Sequence, residues 1–404
     1  IIGLGFLGHQ VRHYLELAHE QTNFIFVEID NYEKFGSGPG YSLLFCKRYL
    51  SKPFYFVSCD TLWKNKHTPS ENRNWFGVSK ISSEIAHKYC NLKVVDGEIT
   101  EIRDKQKVLD ANFLAFVGLC FIKNHDIFFD GLENSSMVNG ELQISGGLQN
   151  LLEKTTVTAE QISWIDVGSH DSYKTEVART ENYDFSKVDE VLYIVNGKVI
   201  KLFVDATITK KRVEKAKLNQ AVFPVISHYQ QQFYAYDFQD GNTLFSFNNE
   251  EVFRALLVWL KATLWREVDV DEKIFNDSCM RFYKDKTLDR INKYKNKYRL
   301  EDCKTYINSV QVDGIDALLA KIPWGAVCKG KACFIHGDLQ FDNIIFDRSK
   351  DKFTLLDWRH DFAGHIHFGD IYYDLAKLYG GILLNYDLIK ANHLDYSENQ
   401  KNIF

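Results

Sequence analysis

Proline and methionine are scarce in this sequence, which has five and two of them among 404 residues. It also lacks an internal repeat, a low-complexity segment and any run of about 18 to 20 apolar residues, the length that a membrane-spanning helix needs. No succession of basic, apolar and small residues at its start indicates a signal peptide. We therefore expect no membrane insertion and a cytoplasmic location, and domain boundaries must be placed from changes of pattern.

Charge of one sign is not in large excess either, because the net charge is -5 and the isoelectric point is near 6.3. Such a chain is not expected to have nucleic acid as its main partner, although local basic clusters can still bind small anions. The eight cysteines are scattered without zinc-site spacing, so we expect reduced, structural thiols. With 45% hydrophobic residues, the chain is long enough for two or three domains of a soluble globular protein.

The first ten residues, IIGLGFLGHQ, place Gly3, Gly5 and Gly8 in the spacing G-x-G-x-x-G. A helix-type segment follows, and then a strand-type segment ends at Glu28 and Asp30, where a dinucleotide-binding unit places its ribose-binding acid. The same glycines fit any tight strand-turn-helix connection. A dinucleotide-binding domain stays open as an alternative, but the sequence has no convincing site for hydride transfer.

Strand-type and helix-type segments alternate over residues 1–178, which is typical of an α/β sheet. The pattern then changes, because VLYIVNGKVIKLF has two alternating strands around Asn196-Gly197, a strong β-hairpin signal. Residues 246–330 are mostly helical in pattern. These changes predict a first domain at 1–178 and a second domain with a small lobe at 179–245 and a larger lobe at 246–404.

The strongest chemical signal is FIHGDLQFDNIIFDRSKDKFTLLDWRHD, residues 334–361. Its short apolar strands end near Asp338, Asn343 and Asp357, so a small sheet is expected to bring these side chains together. Phosphoryl transfer uses such a set: one carboxylate orients and deprotonates an attacking hydroxyl, while an amide and a second carboxylate hold Mg²⁺ against the phosphates of ATP. Turns and helix caps also use acids and amides, but they explain this spacing poorly.

The pattern His336-Gly337-Asp338…Asn343…Asp357 resembles that of the aminoglycoside phosphotransferase and choline kinase superfamily, relatives of protein kinases. The resemblance implies an α+β, two-lobed protein-kinase-like fold, with Asp338 as catalytic base and Asn343 and Asp357 as ligands of Mg²⁺. His336 is expected to brace the loop. The sequence lacks the paired D-F-G and A-P-E motifs of a protein kinase, so a small-molecule substrate is expected, either a sugar or a choline-like amino alcohol.

The small lobe is expected to contact ATP. Lys201 lies in the second strand of the hairpin and Glu214 lies on the following helix, so a Lys-Glu ion pair is predicted to hold the α- and β-phosphates. Four other lysines are alternatives to Lys201: Lys198, Lys210, Lys211 and Lys215. Asp237 and Phe238 are predicted to form the hinge whose backbone receives the adenine. The hairpin has a single glycine, so another loop must cover the phosphates.

Two acids and three aromatic residues of the C-terminal part allow two interpretations each. Asp370 and Asp374 are expected to cap a helix and form an ion pair rather than act in catalysis. Trp324, Trp358 and Phe362 could line a cation-binding cage or pack in the core, and packing is favoured.

Residues 1–175 contain a second ordered series of candidates. Its members lie in glycine-rich turns, at strand ends and in loops: Gly38, Gly40, Ser42, Asp60, Lys105, Gly118, Glu141 and Asp166. In order and spacing the series resembles the sugar-1-phosphate nucleotidyltransferases, which join a nucleoside triphosphate to a phosphorylated substrate and release pyrophosphate. The resemblance implies an α/β nucleotidyltransferase domain with a Rossmann-like mixed sheet.

The resemblance also implies a role for each residue. Asp60 and Asp166 bind Mg²⁺, which offsets charge on the attacked phosphate and on the pyrophosphate, and Lys105 neutralises the substrate phosphate. Gly118 and Glu141 are assigned to the substrate side, with a structural role favoured for Glu141. Three residues of the first glycine-rich turn approach the nucleobase: Gly38, Gly40 and Ser42. The two aspartates could instead be ordinary strand-end or turn residues, and the lysine a solvated one.

The family's glycine-rich loop with Arg and Lys is expected before the segment that starts at Ile1, so the sequence is expected to be a fragment of a longer chain. The whole sequence predicts a bifunctional transferase that uses ATP, Mg²⁺ and a nucleoside triphosphate to make a precursor of capsule or surface polysaccharide from a sugar or sugar phosphate. Two alternatives stay open: a kinase with a non-catalytic nucleotidyltransferase-like scaffold, and a kinase with a NAD-binding domain.

Overall fold

The computed structural model describes residues 1–64, 71–108, 110, 112–179, 189–247, 249–307 and 309–383. The chain divides into two compact units, Ile1–Phe185 (unit 1) and Ser186–Phe404 (unit 2). The domain boundary predicted at residue 178 stays a prediction, because residues 180–188 lie outside the described ranges. Within those ranges, no helix combines the length and the apolar character needed to cross a membrane.

Unit 1 is built on a mixed sheet. Its strands are β1 (Ile2–Leu4), β2 (Phe26–Glu28), β3 (Phe54–Val57), β4 (Thr61–Trp63), β5 (Asn74–Ser79), β6 (Cys90–Val95), β7 (Glu98–Asp104), β8 (Phe113–Ile122), β9 (Val157–Gln161) and β10 (Trp164–Asp166). Its helices are α1 (Gly8–Ala18), α2 (Pro39–Cys46), α3 (His125–Glu133), α4 (Ser145–Lys154) and α5 (His170–Arg179). Six strands are ordered β3-β8-β5-β9-β7-β6, with β5 and β9 parallel and the other neighbours antiparallel. The predicted α/β class with a mixed sheet is confirmed.

Strand β8 forms the centre of this sheet, and nearly all of its residues are buried. Its sequence, FLAFVGLCFI, is apolar throughout because both faces of the strand are covered. Gly118 interrupts it with φ 76°, and a Cβ atom at this position would lie 2.6 Å from Ser58 Oγ. Only glycine allows the loop after β3 to approach β8 so closely. This approach positions the loop that carries Asp60.

Unit 2 begins with the antiparallel sheet β11-β12-β14-β13 and continues with helices and short sheets. Its strands are β11 (Glu190–Val195), β12 (Lys198–Phe203), β13 (Ile226–Gln230), β14 (Phe233–Asp237), β15 (Asn242–Thr243), β16 (Thr305–Ile307), β17 (Val310–Val312), β18 (Ala332–Cys333), β19 (Ile344–Asp347), β20 (Lys352–Leu355) and β21 (Gly369–Asp370). Its helices are α6 (Ala206–Leu218), α7 (Glu250–Thr263), α8 (Glu272–Cys279), α9 (Lys286–Tyr298), α10 (Ile315–Ala320), α11 (Trp324–Val327) and α12 (Ile371–Leu383), and a π-helix at Met280–Asp285 joins α8 to α9.

The core of unit 2 contains two of the aromatic residues whose role was open. Trp358 has no exposed surface, and its ring packs against those of Phe223 (4.8 Å between centroids) and Tyr234 (5.9 Å). Phe362 is also buried and stacks on Phe282 at 4.2 Å. The packing interpretation is therefore confirmed for Trp358 and Phe362, and neither ring is available to a cation-binding cage.

Candidate functional site

Two carboxylates of unit 1 converge at one glycine. Asp60 precedes β4 and Asp166 ends β10, and these strands pair antiparallel with Asp166 opposite Thr61. A Cβ atom on Gly168 would lie 3.1 Å from both Asp60 Oδ2 and Asp166 Oδ1. The missing side chain of Gly168 leaves room for both carboxylates. The structure therefore brings together the two acids that were predicted to share a metal ion.

Tyr89 orients Asp166, a contact that the sequence reasoning missed. The Tyr89 hydroxyl donates to Asp166 Oδ2 (2.6 Å), and the backbone N–H of Gly168 donates to Oδ1 (2.8 Å). Burial, followed by the hydrogen bond to Asp166, raises the pKa of Tyr89 to about 12. The phenol thus remains a donor at neutral pH. No sequence signal identifies this residue, because 77 positions separate it from its partner.

A cavity of about 760 Å³ in unit 1 is lined by four of the predicted residues: Asp60, Lys105, Gly118 and Asp166. Lys105 Nζ lies 2.9 Å from Glu141 Oε2, so these two predicted residues also come together. Glu141 itself does not line the cavity. Its contact with Lys105 agrees with the structural role that was favoured for it.

The three residues predicted to approach a nucleobase do not line this cavity. Cβ atoms on Gly38 and Gly40 would each lie 2.8 Å from the carbonyl oxygen of Leu142, and Gly38 has φ 135°. These glycines allow α2 to begin in close contact with the neighbouring backbone. Ser42 lines an adjoining cavity of about 630 Å³ that also reaches Asp60. Gly38 and Gly40 thus have a packing role, and their approach to a nucleobase stays a prediction.

Packing also explains the opening glycines. A Cβ atom on Gly5 would lie 3.0 Å from the ring of Tyr32, and one on Gly8 would lie 2.9 Å from a side-chain atom of β1. Glu28, the ribose-binding acid of the dinucleotide alternative, forms an ion pair with Arg12 at 2.8 Å. Close packing therefore accounts for Gly5 and Gly8, whereas a Cβ atom on Gly3 would meet only ordinary contacts at 3.5 Å.

In unit 2, one buried carboxylate holds the loop from His336 to Asp338. Asp374, on α12, accepts hydrogen bonds from the backbone N–H groups of His336 (2.8 Å) and Gly337 (2.7 Å) and from the indole of Trp265 (3.1 Å). Asp374 is fully buried, and burial raises its pKa. The role is structural, as expected for this residue, although it acts on the backbone of the loop rather than as a helix cap.

The ring of His336 braces the same loop. Its Nδ1 accepts from the backbone N–H of Asp338 (3.1 Å), so the proton lies on Nε2, which donates to the carbonyl oxygen of Leu356 (2.8 Å). Burial lowers the pKa of His336 to about 3, so the ring is neutral. It connects the loop to the strand end that precedes Asp357.

The structure brings Asp338, Asn343 and Asp357 together as the motif predicts. The side-chain amide N–H of Asn343 donates to the backbone carbonyl oxygen of Asp338 (2.8 Å). The backbone carbonyl oxygen of Asn343 accepts from the backbone N–H of Leu356 (2.8 Å). Asp338 and Asp357 line one cavity of about 490 Å³. Lys377 Nζ lies 2.9 Å from Asp338 Oδ1 and offsets its negative charge.

Lys201 is buried between two carboxylates, and neither of them is Glu214. Its Nζ lies 3.2 Å from Glu190 Oε1 and also forms an ion pair with Asp357. Glu214 is exposed and approaches Lys210 at 3.9 Å. The predicted pair of Lys201 and Glu214 is not formed, because the rotation of α6 turns Glu214 outward while residues on either side of it are buried.

Two other cations of α6 point inward. Arg212 Nη1 lies 3.2 Å from Asp357 Oδ1. Lys215 donates to the carbonyl oxygens of His336 (3.1 Å) and Arg359 (2.9 Å), and burial lowers its pKa to about 7. Lys215, which was an alternative to Lys201, therefore ties α6 to the His336 loop and to the segment after Asp357.

The predicted hinge residues already use their backbone groups within the chain. The N–H of Phe238 donates to the carbonyl oxygen of Gly197 (2.8 Å), and the carbonyl oxygen of Asp237 accepts from the side-chain amide of Gln239 (2.6 Å). Asp237 lines a separate cavity of about 190 Å³, and neither residue lines the cavity that contains Asp338. The structure therefore does not bring them to the candidate site.

Both units offer oxygen ligands in pairs. Among the described residues, no cluster of three or more His, Cys, Asp or Glu side chains could hold a metal ion. The candidate sets are Asp60 with Asp166, and Asp357 with the amide oxygen of Asn343. Mg²⁺ is commonly bound by one or two carboxylates together with water and substrate phosphates. Both sets therefore fit the Mg²⁺ that the two resemblances imply.

The neutral, buried His336 makes the stability of unit 2 depend on pH. Its pKa is about 3 in the folded protein against 6.5 without burial, so between these values the unfolded chain binds a proton that the folded chain does not. The stability of unit 2 is therefore expected to fall below pH 6.5, by up to about 1.4 kcal/mol per pH unit from this residue. In urea unfolding, His336→Gln is expected to lose less stability than the parent as pH falls, and parallel losses would contradict this.

Comparisons with known proteins follow the same division of the chain. Residues 223–396 match the "Phosphotransferase enzyme family". A comparison with curated proteins finds no match. Among solved structures, UDP-glucose pyrophosphorylase complexed with UDP-glucose is 19% identical, with 43% of this chain and 72% of that chain covered and a TM-score of 0.36.

Two further solved structures have similar scores. UTP-bound UGPase from Acinetobacter baumannii is 17% identical, with 42% of this chain and 65% of that chain covered and a TM-score of 0.34. A putative glucose-1-phosphate thymidylyltransferase from Bacillus anthracis is 14% identical, with 45% and 74% covered and a TM-score of 0.34. The chain thus spans about two thirds to three quarters of these structures, and scores this low carry no argument.

The family match and the geometry of unit 2 agree. Asp338, Asn343 and Asp357 all lie inside the matched range. Residues 223–396 match the model of the phosphotransferase enzyme family, which confirms the predicted transferase class and the predicted kinase-like second domain.

Proposed function

We propose that unit 2 transfers the γ-phosphoryl group of ATP to a hydroxyl group of a small compound. The observation that carries this proposal is one cavity lined by Asp338 and Asp357, with Asp357 also in contact with the buried Lys201. The Asp338 carboxylate accepts the hydroxyl proton while the hydroxyl oxygen forms a bond to the γ-phosphorus. The bond from that phosphorus to the bridging oxygen breaks, and ADP leaves with the electron pair.

Groups in and next to the cavity have supporting roles. Asn343 and Asp357 would hold Mg²⁺, which neutralises charge on the phosphates of ATP. Lys201 supplies a positive charge beside Asp357, and Glu190 keeps its ammonium group in place at 3.2 Å. Because these groups are fixed before ATP binds, little reorganisation is needed when charge develops in the transition state.

For unit 1 we propose nucleotidyl transfer to a sugar phosphate. The convergence of Asp60 and Asp166 at Gly168 supports this function, as does the position of Lys105 in the same cavity. A phosphate oxygen of the substrate attacks the α-phosphorus of a nucleoside triphosphate, and pyrophosphate leaves. The two carboxylates would hold Mg²⁺, and Lys105 would neutralise the substrate phosphate.

Together, the two activities would phosphorylate a compound and then couple a phosphate to a nucleotide. Such an order produces an activated donor, and we propose that it serves the synthesis of a capsule or surface polysaccharide precursor in the cytoplasm. Two cavities with acidic and basic side chains, one in each unit, support this sequential function.

Removal of the proposed base is expected to abolish phosphoryl transfer. Asp338→Asn should lower kcat by about 100-fold or more, because general base catalysis contributes about 100- to 10,000-fold. The measurements are ADP release and ³¹P NMR of the product with a panel of sugars, sugar acids and amino alcohols, and circular dichroism to check the fold. Asp351→Asn, at an exposed turn, is the matched control. Equal turnover in both variants would overturn the assignment.

Substitution of Glu190 and of Glu214 tests which glutamate forms the ion pair with Lys201 that supports catalysis. Glu190→Gln is expected to raise the KM for ATP or lower kcat about ten- to a hundredfold, because a hydrogen bond to a charged group contributes about 1.5–3 kcal/mol. Glu214→Gln, on the exposed face of α6, is expected to change neither value more than about twofold. A large effect of Glu214→Gln with a small effect of Glu190→Gln would show that the pairing changes when ATP binds.

Unit 1 can be tested as an enzyme or as a scaffold. We expect the full chain to release pyrophosphate from a nucleoside triphosphate and a sugar 1-phosphate, and Asp166→Asn to reduce this release by about 100-fold or more. Asp171→Asn, an exposed acid on α5, is the control. If the parent protein releases no pyrophosphate while unit 2 phosphorylates its substrate, the scaffold alternative is correct.

A further inference from the structure

Two cations line the cavity of unit 2 on the side of helix α9, and a third, Lys286, lies beside them. Arg290 and Arg359 line the cavity together with Asp338. Lys286 Nζ lies 4.3 Å above the ring of the buried Phe282, and the guanidinium carbon of Arg359 lies 5.0 Å from the same ring centroid. Burial, followed by the charges of Arg359 and Arg290, lowers the pKa of Lys286 to about 8. The three residues are called the α9-side cations below.

None of the α9-side cations forms an ion pair with a carboxylate of the described residues. The nearby acids are engaged elsewhere: Asp357 with Lys201 and Arg212, Glu190 with Lys201, Asp338 with Lys377, and Asp361 with Lys211 at 2.5 Å. Asp189 also lines the cavity, but it precedes β11 and has no ion pair with these cations. The charges of Arg359 and Arg290 act against the positive charge of Lys286, and an added anion would relieve this repulsion.

A different pair of cations lies next to the proposed metal ligand of the nucleotide site. Lys201 on β12 and Arg212 on α6 both contact Asp357, the proposed ligand of the metal that accompanies ATP. Lys286 and Arg290 lie on a different helix, one turn apart, and Arg290 borders the cavity that Asp338 shares. Because Asp338 is the proposed base, a group bound beside Arg290 belongs to the compound that receives the phosphoryl group.

We propose that the acceptor of unit 2 is a small hydroxyl compound that carries a phosphate or carboxylate group, held by Lys286, Arg290 and Arg359. This inference rests on the proposed kinase function and narrows its substrate class. Arginine binds phosphates and carboxylates through paired N–H donors, and lysine adds a compact positive charge. An amino alcohol or aminoglycoside would instead bring a positive charge toward three others, with the aromatic rings of Trp358 and Phe362 buried in the core.

Matched acceptors test this specificity. The full chain, with Mg²⁺ and ATP, is assayed with glycerol, glycerate and glycerol phosphate, with glucose and gluconate, and with choline. We expect kcat/KM for the anionic member of each set to exceed that of the neutral member by about 100-fold, and choline to be the poorest acceptor. A preference for neutral acceptors or choline, with turnover that still depends on Asp338, would overturn the inference and leave the kinase function intact.

Substitution of the α9-side cations tests where the anionic group of the acceptor binds. Arg290→Gln and Lys286→Gln are expected to raise the KM of the anionic acceptor by about tenfold or more while the KM for ATP stays unchanged. Lys297→Gln removes the same charge from the same helix about 10 Å farther along and serves as the control. A rise in the KM for ATP instead would assign the cations to the nucleotide and contradict the inference.

Binding of inorganic phosphate decides the inference even if no acceptor of the panel is phosphorylated. In isothermal titration calorimetry with the nucleotide-free protein, the double variant Lys286→Gln/Arg290→Gln is expected to bind phosphate at least about tenfold more weakly than the parent and the Lys297→Gln control. Equal binding by all three proteins would overturn the anion site. Absence of turnover with every acceptor would count against the kinase function alone.

Discussion

The hydrogen bonds that Asp374 accepts from the backbone of His336 and Gly337 set the position of the loop that carries Asp338. A carboxylate without exposed surface is costly unless donors surround it, and the indole of Trp265 supplies a third one. The neutral ring of His336 and the ammonium group of Lys215 then connect this loop to its neighbours. Displacing any of these groups leaves another buried polar group without a partner, so the surrounding loops are held as one rigid assembly.

Charge is distributed unevenly over the cavity of unit 2. Around Lys201, cations and carboxylates alternate, since Glu190 and Asp357 flank the lysine and Arg212 approaches Asp357 from α6. Near Arg290, the described residues place Lys286 and Arg359 without an ion pair to a carboxylate. This uneven distribution agrees with the two proposed ligands: a nucleotide with its metal ion near Lys201, and an acceptor that supplies its own negative charge.

In unit 1, strand pairing brings two carboxylates from distant segments together. Asp60 and Asp166 are far apart in the chain, and the antiparallel pairing of β4 with β10 places them beside each other at Gly168. Gly118 allows the loop before Asp60 to approach the central strand. Most of the glycines that the sequence analysis considered as ligand contacts serve this kind of close packing, because contact between two backbone segments leaves no room for a Cβ atom.

Spacing in the sequence was sufficient to predict those features whose residues are close together in the chain. Asp338, Asn343 and Asp357 lie within one loop and one hairpin, so their spacing predicted their meeting and the family. The register of the hairpin also identifies a partner for Lys201: the Asn-Gly turn pairs Leu192 with Lys201, which places Glu190 on the same face, diagonally next to the lysine.

Which side chains from distant segments share the cavity depends on tertiary packing and was seen only in the structure. The rotation of α6 about its axis turned Glu214 outward and Arg212 inward, and this rotation depends on how the whole helix packs. The backbone N–H of Phe238 donates to Gly197 of the hairpin, a contact that the hinge prediction did not include. Arg290 and Arg359 line the same cavity because a separate helix lies beside the loop after Asp357, and no periodicity or spacing within either segment encodes that proximity.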